Sequence, residues 1–317
     1  RTHVVSARDC GMYVGVMLFN GWGVGVYREP PHNVTWDYHP FNKANNINGI
    51  DGDPNGDRRG LEYQGLQIAA ITRIQETYVR KVVDTVNDLD NVVYEISNES
   101  GPTSVKWQYH MIQCVKDYEA TKLKQHPVIM SGGMGMSNAD LWASPADAVA
   151  PGNERQQKFA FDPPEATGTK VVIIDSDHNE SDRKDPAFVW RTFLRGHQPI
   201  VMDWWNGPQW EPIRRAMGHA RVYATKVDLA AMTPQKALSS TGFCLAKTGS
   251  EYLVYQPASN TALTLSLAAG TYDFEWFDPG AGTIAATGSF SAKMGDRLFT
   301  APFQGEALLY IRRARRH

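Results

Sequence analysis

"NVVYEISNES", residues 91–100, reads as a buried strand that stops on an Asn-Glu pair. Val92, Val93, Tyr94 and Ile96 are strand formers, and a carboxylate, Glu99, stands where the apolar run ends. A run of this kind is anchored in a core, so it would hold Glu99 rigidly at the lip of a sheet. Acid/base catalysis needs that rigidity at a polar rim.

The flanking segments extend the pattern. Upstream, "ITRIQETYVRKVVDTVNDL" (71–89) reads as a helix, with Ile74, Tyr78, Val82 and Val86 recurring at one-turn spacing. Downstream, "SVKWQYHMIQCVKDYEATKLK" (104–124) reads as another, with Val105, Tyr109, Ile112 and Val115 as its apolar stripe. Further strand-like runs are "MYVGVMLF" (12–19), "HPVIMSG" (126–132), "ADAVAP" (146–151), "KVVIID" (170–175) and "QPIVMDWW" (198–205). The helical "DPAFVWRTFLRG" lies between the last two, with Gly196 as its expected C-cap. Strands alternating with helices predict an α/β fold whose parallel sheet is wrapped in crossover helices.

From about residue 240 the texture changes. "EYLVYQP", "ALTLSL", "TYDFEWFDP", "GTIAATGSFS" and "EALLYIR" are short, alternating and separated by turn residues, as in an antiparallel β-sandwich. The expected domains are 1–238, an α/β domain, and 239–317, a small sandwich. Tyr252, Tyr255, Trp276 and Phe277 suit either the core or a contact surface of that sandwich. Residues 28–67, rich in Asn, Gly, Asp and Pro, form a long loop that the alternation does not require. Loops of that length in compact domains are usually functional lids or disordered.

Composition excludes several classes. At 317 residues, 42% hydrophobic and 21% charged, the chain is an ordinary globular one. Lys and Arg total 32 against 34 Asp and Glu, and a net charge of -2 gives no general attraction to nucleic acid or anionic lipid. The basic "RRARRH" (312–317) reads as a solvated terminus. No segment approaches the roughly 20 apolar residues of a membrane span. Cys10, Cys114 and Cys244 have no metal-ligand or disulfide spacing and are expected to be buried small hydrophobes. The chain opens at Arg1 without a secretory signal, so a removed leader or a fragment is expected.

In a parallel barrel the site lies at the carboxyl ends of the strands. There the sequence places Asn20 and Trp22; Asn98 and Glu99; Ser131; Asp175, Asp177 and His178; and Asp203, Trp204 and Trp205. Glu99 with Asp175 or Asp177 supplies the two carboxylates of glycoside hydrolysis, one to protonate the leaving oxygen, the other to attack or to activate water. The three tryptophans offer flat faces for sugar rings. Taken singly, each has a bland reading: a solvated strand-end Glu, a Trp plugging a barrel mouth. Asp175, Asp177 and His178, with Asp203, also read as a metal cluster.

The ordered series "GVMLFNGWG", "HPFNKANNINGID", "YEISNE", "SPADAVAP", "IIDSDH", "FVWRTFLRGHQPIVMD" and "FTAPFQGEALLYI" resembles clan A glycoside hydrolase-like barrel proteins. It is most similar to bacterial relatives of the apiosidase-like group, whose C-terminal domain carries a collagen-binding label. The resemblance implies a (β/α)8-type barrel followed by the sandwich, with the runs as barrel strands three to eight. It implies Glu99 as acid/base, Asp175 or Asp177 as the second carboxylate, and Asn98 bonded to the sugar hydroxyl beside the reacting carbon. His178 would orient an aspartate or touch substrate, and the loop residues His39, Asn42, Asn45 and Asn46 would shape subsites. The sandwich would be a structural partner more than a binder.

Two departures stand out. The clan's usual second carboxylate is Glu, whereas Asp is shorter by one methylene and Glu180 lies farther on, which leaves retention and inversion both open. Only "RTHVVSARDC" precedes the expected third strand, so the first two strands would be missing, supplied by another chain, or dispensed with in an open sheet with covered edges; a truncated start with weakened or altered activity is the favoured expectation. The leading function is an O-glycosyl hydrolase acting on a plant or microbial polysaccharide. It would have no cofactor, no metal, no nucleic-acid or membrane partner, and, by resemblance, a secreted or periplasmic location. The alternatives are a carbohydrate-binding protein on a degenerate barrel and a metal-dependent hydrolase. Oligomeric state is not legible.

Overall fold

The computed structural model of the protein describes residues 1–21, 24, 34–133, 135–151, 166, 168–175, 184–202, 207–257 and 262–314, with the side chains of Val34 and Asp175 left aside. The chain divides into two compact units, Arg1–Phe159 and Ala160–His317.

The first unit holds four parallel strands in the order β1-β2-β3-β4: β1 (Val14–Asn20), β2 (Val92–Asn98), β3 (Val128–Ser131) and β4 (Ala148–Ala150). Its helices are α1 (Thr2–Asp9), α2 (Val34–Asp37), α3 (Ala69–Val86), α4 (Val105–Glu119) and α5 (Asn138–Ala143). Along β2, Val92, Tyr94 and Ile96 are fully buried while Val93 and Glu95 are partly exposed. That period of two is the pleat: alternate side chains enter the core. "RTHVVSARD" is ordered as α1 and tied to β2 by Asn91, whose Nδ2 donates to the carbonyls of Val4 and Met12, both at 3.0 Å.

The expected stripes are buried in part: Val86 on α3 and Ile112 and Val115 on α4. On α3 the buried residues are Ile71, Gln75, Val79, Val83 and Val86, whereas Ile74 and Tyr78 are over 40% exposed. The reason is Gln75. Its Nε2 donates to the carbonyl of Tyr63 (2.7 Å) and its Oε1 accepts from the indole N–H of Trp107 (2.9 Å), so a polar residue occupies the core stripe at no cost in unmade hydrogen bonds. On α4, Ile112 and Val115 are buried as expected, joined by Trp107 and Met111.

The opposite end of β2 from Glu99 is fastened by a buried carboxylate. Glu119, at the end of α4, accepts from Asn87 Nδ2 (2.8 Å), Tyr94 Oη (3.2 Å) and the backbone N–H of His126 (2.6 Å), and pairs with His126 Nδ1 (2.7 Å).

The second unit holds the parallel pair β5 (Val171–Asp175) and β6 (His197–Ile200), with α6 (Pro186–Leu194) and α7 (Glu211–Lys226). Asp185 caps α6 by accepting from Ala187 N–H (2.9 Å), and Gly196 follows it at φ 75°, the left-handed stop expected there. Two antiparallel sheets follow. One has the order β12-β11-β14-β9-β8-β7, formed by β7 (Thr233–Pro234), β8 (Cys244–Lys247), β9 (Glu251–Gln256), β11 (Gly270–Asp278), β12 (Thr283–Ala292) and β14 (Ala307–Arg313). The other pairs β10 (Leu263–Leu267) with β13 (Gly295–Phe299). Tyr252, Val254, Leu265, Tyr272, Trp276 and Leu309 share the core of this sandwich.

All six residues of β9 are buried, because its second face also has a partner: Tyr255 stacks on Trp190 of α6 at 6.4 Å. Tyr223 of α7 donates to Glu275 (2.7 Å), whose carboxylate also pairs with Lys226 (2.6 Å). Tyr252, Tyr255, Trp276 and Phe277 are therefore core residues. The cysteines differ from expectation: Cys244 is buried, Cys114 is half-buried and Cys10 is exposed, since it ends α1 at the surface.

Candidate active site

The carboxyl ends of β1, β2 and β3 meet around Glu99. Among the described residues, the only non-glycine positive φ angles are those of Arg58 (61°) and Glu99 (49°). For a residue with a Cβ this left-handed backbone costs about 1–2 kcal/mol and persists only when its surroundings hold it. Three features do so. Ser97 and Ser100, both fully buried, join their hydroxyls at 2.6 Å across the turn. Gly21, just past β1, donates its N–H to the carbonyl of Asn98 (2.7 Å), and a Cβ on it would stand 2.6 Å from Ser100 Cα. Gly133, just past β3, presses on the carbonyl of Glu99 from the other side.

Asn20 and Asn98 are register partners on β1 and β2, and Asn98 Nδ2 donates to Asn20 Oδ1 at 3.3 Å. Ser131 donates its hydroxyl to Glu95, a carboxylate on the partly exposed face of β2. The rim thus presents Asn20, Asn98, Glu99 and Ser131 together, with Glu95 below them. Glu99 is half-buried.

Part of the long loop is fastened to this rim. Tyr63 donates its hydroxyl to the carbonyl of Asn20 (2.6 Å), and Gln64 Nε2 reaches Ser97 Oγ (3.3 Å). His39 lies inside the loop's own aromatic cluster, 4.3 Å from the Tyr63 ring and 5.0 Å from that of Trp36, and its Nδ1 accepts from Phe41 N–H (3.2 Å). Burial pushes its imidazole down to about 4. Asn42 donates to the carbonyl of Trp36 (3.1 Å) and accepts from Ala44 N–H (3.1 Å). Asn45 donates to the carbonyls of Asp37 and His39, and Asn46 to those of Asn42 and Ile50. These asparagines and His39 build the loop, and their polar ends are engaged by its own backbone.

Of the other residues expected in the site, Trp22, Asp177, His178, Asp203, Trp204 and Trp205, with Glu180, lie outside the described residues, as does the side chain of Asp175, whose backbone ends β5. Sequence reading passed over Glu95, Ser97, Ser100, Gly21, Gly133 and Tyr63. A lone carboxylate inside the apolar run "VVYEIS" was the available signal for Glu95. Among the described residues, Asp53, Asp57 and Glu62 form the group suited to a metal ion, and it lies in the loop, not among the residues at the strand ends.

No protein-family profile matches the chain, and no curated protein matches it in sequence. Its fold is similar to a crystal structure described as a glycoside hydrolase family 5 protein from Bacteroides vulgatus ATCC 8482, with TM-score 0.60 and 13% identity, covering 98% of this chain and 85% of that one. A second structure, described as a glycoside hydrolase, is similar with TM-score 0.58 and 11% identity, covering 99% and 88%. The protein therefore has a glycoside hydrolase-like fold, an α/β arrangement of parallel strands accompanied by antiparallel sheets.

Proposed function

We propose that the protein is a glycoside hydrolase that cleaves O-glycosyl bonds of a poly- or oligosaccharide with two carboxylates, Glu99 as the acid/base and Asp175 or Asp177 as its partner. The observation that carries this reading is the backbone of Glu99. A left-handed backbone held between glycines that follow two neighbouring strands supports a fixed position for this residue, as proton donation to a leaving oxygen requires.

In this reading the parallel strands belong to a (β/α)8-type barrel akin to the apiosidase-like group. Residues 1–238 are its catalytic domain and 239–317 a sandwich that braces it. Within the second unit, the contacts of Trp190 and Tyr223 with Tyr255 and Glu275 support packing of the sandwich on α6 and α7. A secreted or periplasmic location follows from the same kinship.

The test is Glu99→Gln, which keeps the side chain's shape and removes the ionisable proton. On a panel of plant and microbial glycans, wild type is expected to release reducing sugar and the variant to lose at least about a hundredfold in kcat. Equal turnover by the two proteins removes Glu99 from the mechanism. Binding of a glycan by wild type without any product would instead establish a carbohydrate-binding protein.

A further inference from the structure

Residues 51–62, "DGDPNGDRRGLE", place Asp, Asp, Asn, Gly and Glu at the first, third, fifth, sixth and twelfth positions of a twelve-residue run. That spacing is the one by which a loop wraps oxygen ligands around a hard divalent cation, with glycine sixth to make the sharp turn. Gly56 makes that turn, with φ 71° and its N–H donating to the carbonyl of Asp53 at 3.0 Å.

The fold gathers two of these groups, Asp53 and Glu62, together with Asp57, the seventh residue of the run. Ligand oxygens of Asp53, Asp57 and Glu62 all lie within 4.8 Å of one another. Two oxygens each about 2.4 Å from one ion can be no farther apart than that. Asp51 is not in the group: its Oδ1 accepts from Asp53 N–H (3.1 Å) and its Oδ2 faces Lys43 at 3.8 Å.

The second observation is independent of spacing. Asp53 is only 9% exposed; its Oδ2 accepts from Arg58 N–H (2.8 Å), while its Oδ1 is buried with no donor. Glu62 repeats the pattern: Oε1 takes Asn55 Nδ2 at 2.5 Å, and Oε2 is buried with no donor. Buried carboxylate oxygens normally have partners, and two bare ones in one cluster ask for a cation. The guanidinium of Arg58 does not serve, because it is turned to Asp37 at 2.8 and 2.9 Å.

We propose that Asp53, Asp57 and Glu62 bind a divalent cation of the calcium class, with Asn55 orienting Glu62. An all-oxygen set of carboxylates, with no His or Cys in the group, selects a hard ion over zinc or copper. Glu62 shares one turn, Leu61–Gln64, with Tyr63 and Gln64, which are bonded to Asn20 and Ser97. The ion would therefore hold the loop on the rim beside Glu99. The site is structural and stands apart from the glycosidase reading, because its test involves no sugar.

The experiment uses the full chain, stripped with EDTA and dialysed, then titrated with calcium or magnesium while thermal unfolding is followed. Terbium binding is read in parallel by sensitised emission. Trp36 is the donor, since it packs on the loop: a Cβ on Gly52 would stand 2.9 Å from its Cη2. Calcium is expected to raise the midpoint saturably below about 1 mM, and magnesium to do so more weakly. Asp53→Asn and Glu62→Gln are expected to weaken calcium binding about tenfold or more, and Asp51→Asn by less than about threefold. A folded wild type with neither a midpoint shift nor terbium emission overturns the proposal. So does wild-type affinity in both ligand variants, and a loss in Asp51→Asn equal to that in Asp53→Asn overturns the three-carboxylate assignment.

Discussion

Gly133 lies against the peptide of Glu99: a Cβ on Gly133 would stand 2.6 Å from both the carbonyl carbon and the carbonyl oxygen of Glu99. Non-bonded Cβ atoms do not approach backbone so closely, so the turn that presents Glu99 has its present shape because position 133 carries no side chain. The left-handed turn at φ 49° thus occupies a space that position 133, just past β3, leaves open.

Gly133→Ala should push the Glu99–Ser100 peptide out of this slot. The expected loss is about 1–3 kcal/mol in urea denaturation, the usual cost of overpacking. Under the proposed role of Glu99, kcat on a glycan that wild type cleaves should fall by more than KM changes, because a displaced acid/base affects the reaction more than binding. A variant as stable as wild type would show that the contact carries no strain.

Gln75→Leu should be costly although it inserts an apolar residue into an apolar stripe. It would leave the Trp107 indole N–H and the Tyr63 carbonyl without their present partner, a penalty of about 2–4 kcal/mol for two buried polar groups. Ile74→Ala, on the exposed face of the same helix, should cost less than about 1 kcal/mol. Denaturant midpoints for the pair decide the matter. The reverse order would place the core stripe where spacing alone puts it.

His39 makes stability depend on pH. Folded, its imidazole is held down to about 4 by burial, against an ordinary value of 6.5. Between those values the unfolded chain binds a proton that the folded one does not, so stability falls as pH drops from 6.5 towards 4. At about 1.4 kcal/mol per pH unit the total is roughly 3 kcal/mol. Comparing wild type with His39→Gln from pH 7.5 to 4.5 isolates this contribution, and equal slopes would exclude it.

Much of the architecture was legible because its causes are local. The apolar runs at 12–19, 91–97, 126–132, 146–151 and 170–175 each contain a strand of the structure, since β-branched and aromatic residues favour the pleat wherever it is placed. Gly196 ended α6 as expected, since a left-handed residue is needed there and glycine adopts it freely. The twelve-residue acidic spacing at 51–62 was equally visible, but it falls in a loop, away from the strand ends where chemistry was sought.

What spacing did not reveal was set by partners far along the chain. Gln75 enters the core only because Trp107 and Tyr63 come to meet it, and Asn42, Asn45 and Asn46 look like ligand-binding amides until the loop folds and engages them. By itself the sequence determined that a carboxylate ends the second strand. Only the tertiary structure decided how that residue's backbone is held, because the glycines beside it follow neighbouring strands and nothing in their spacing along the chain says which backbone they approach.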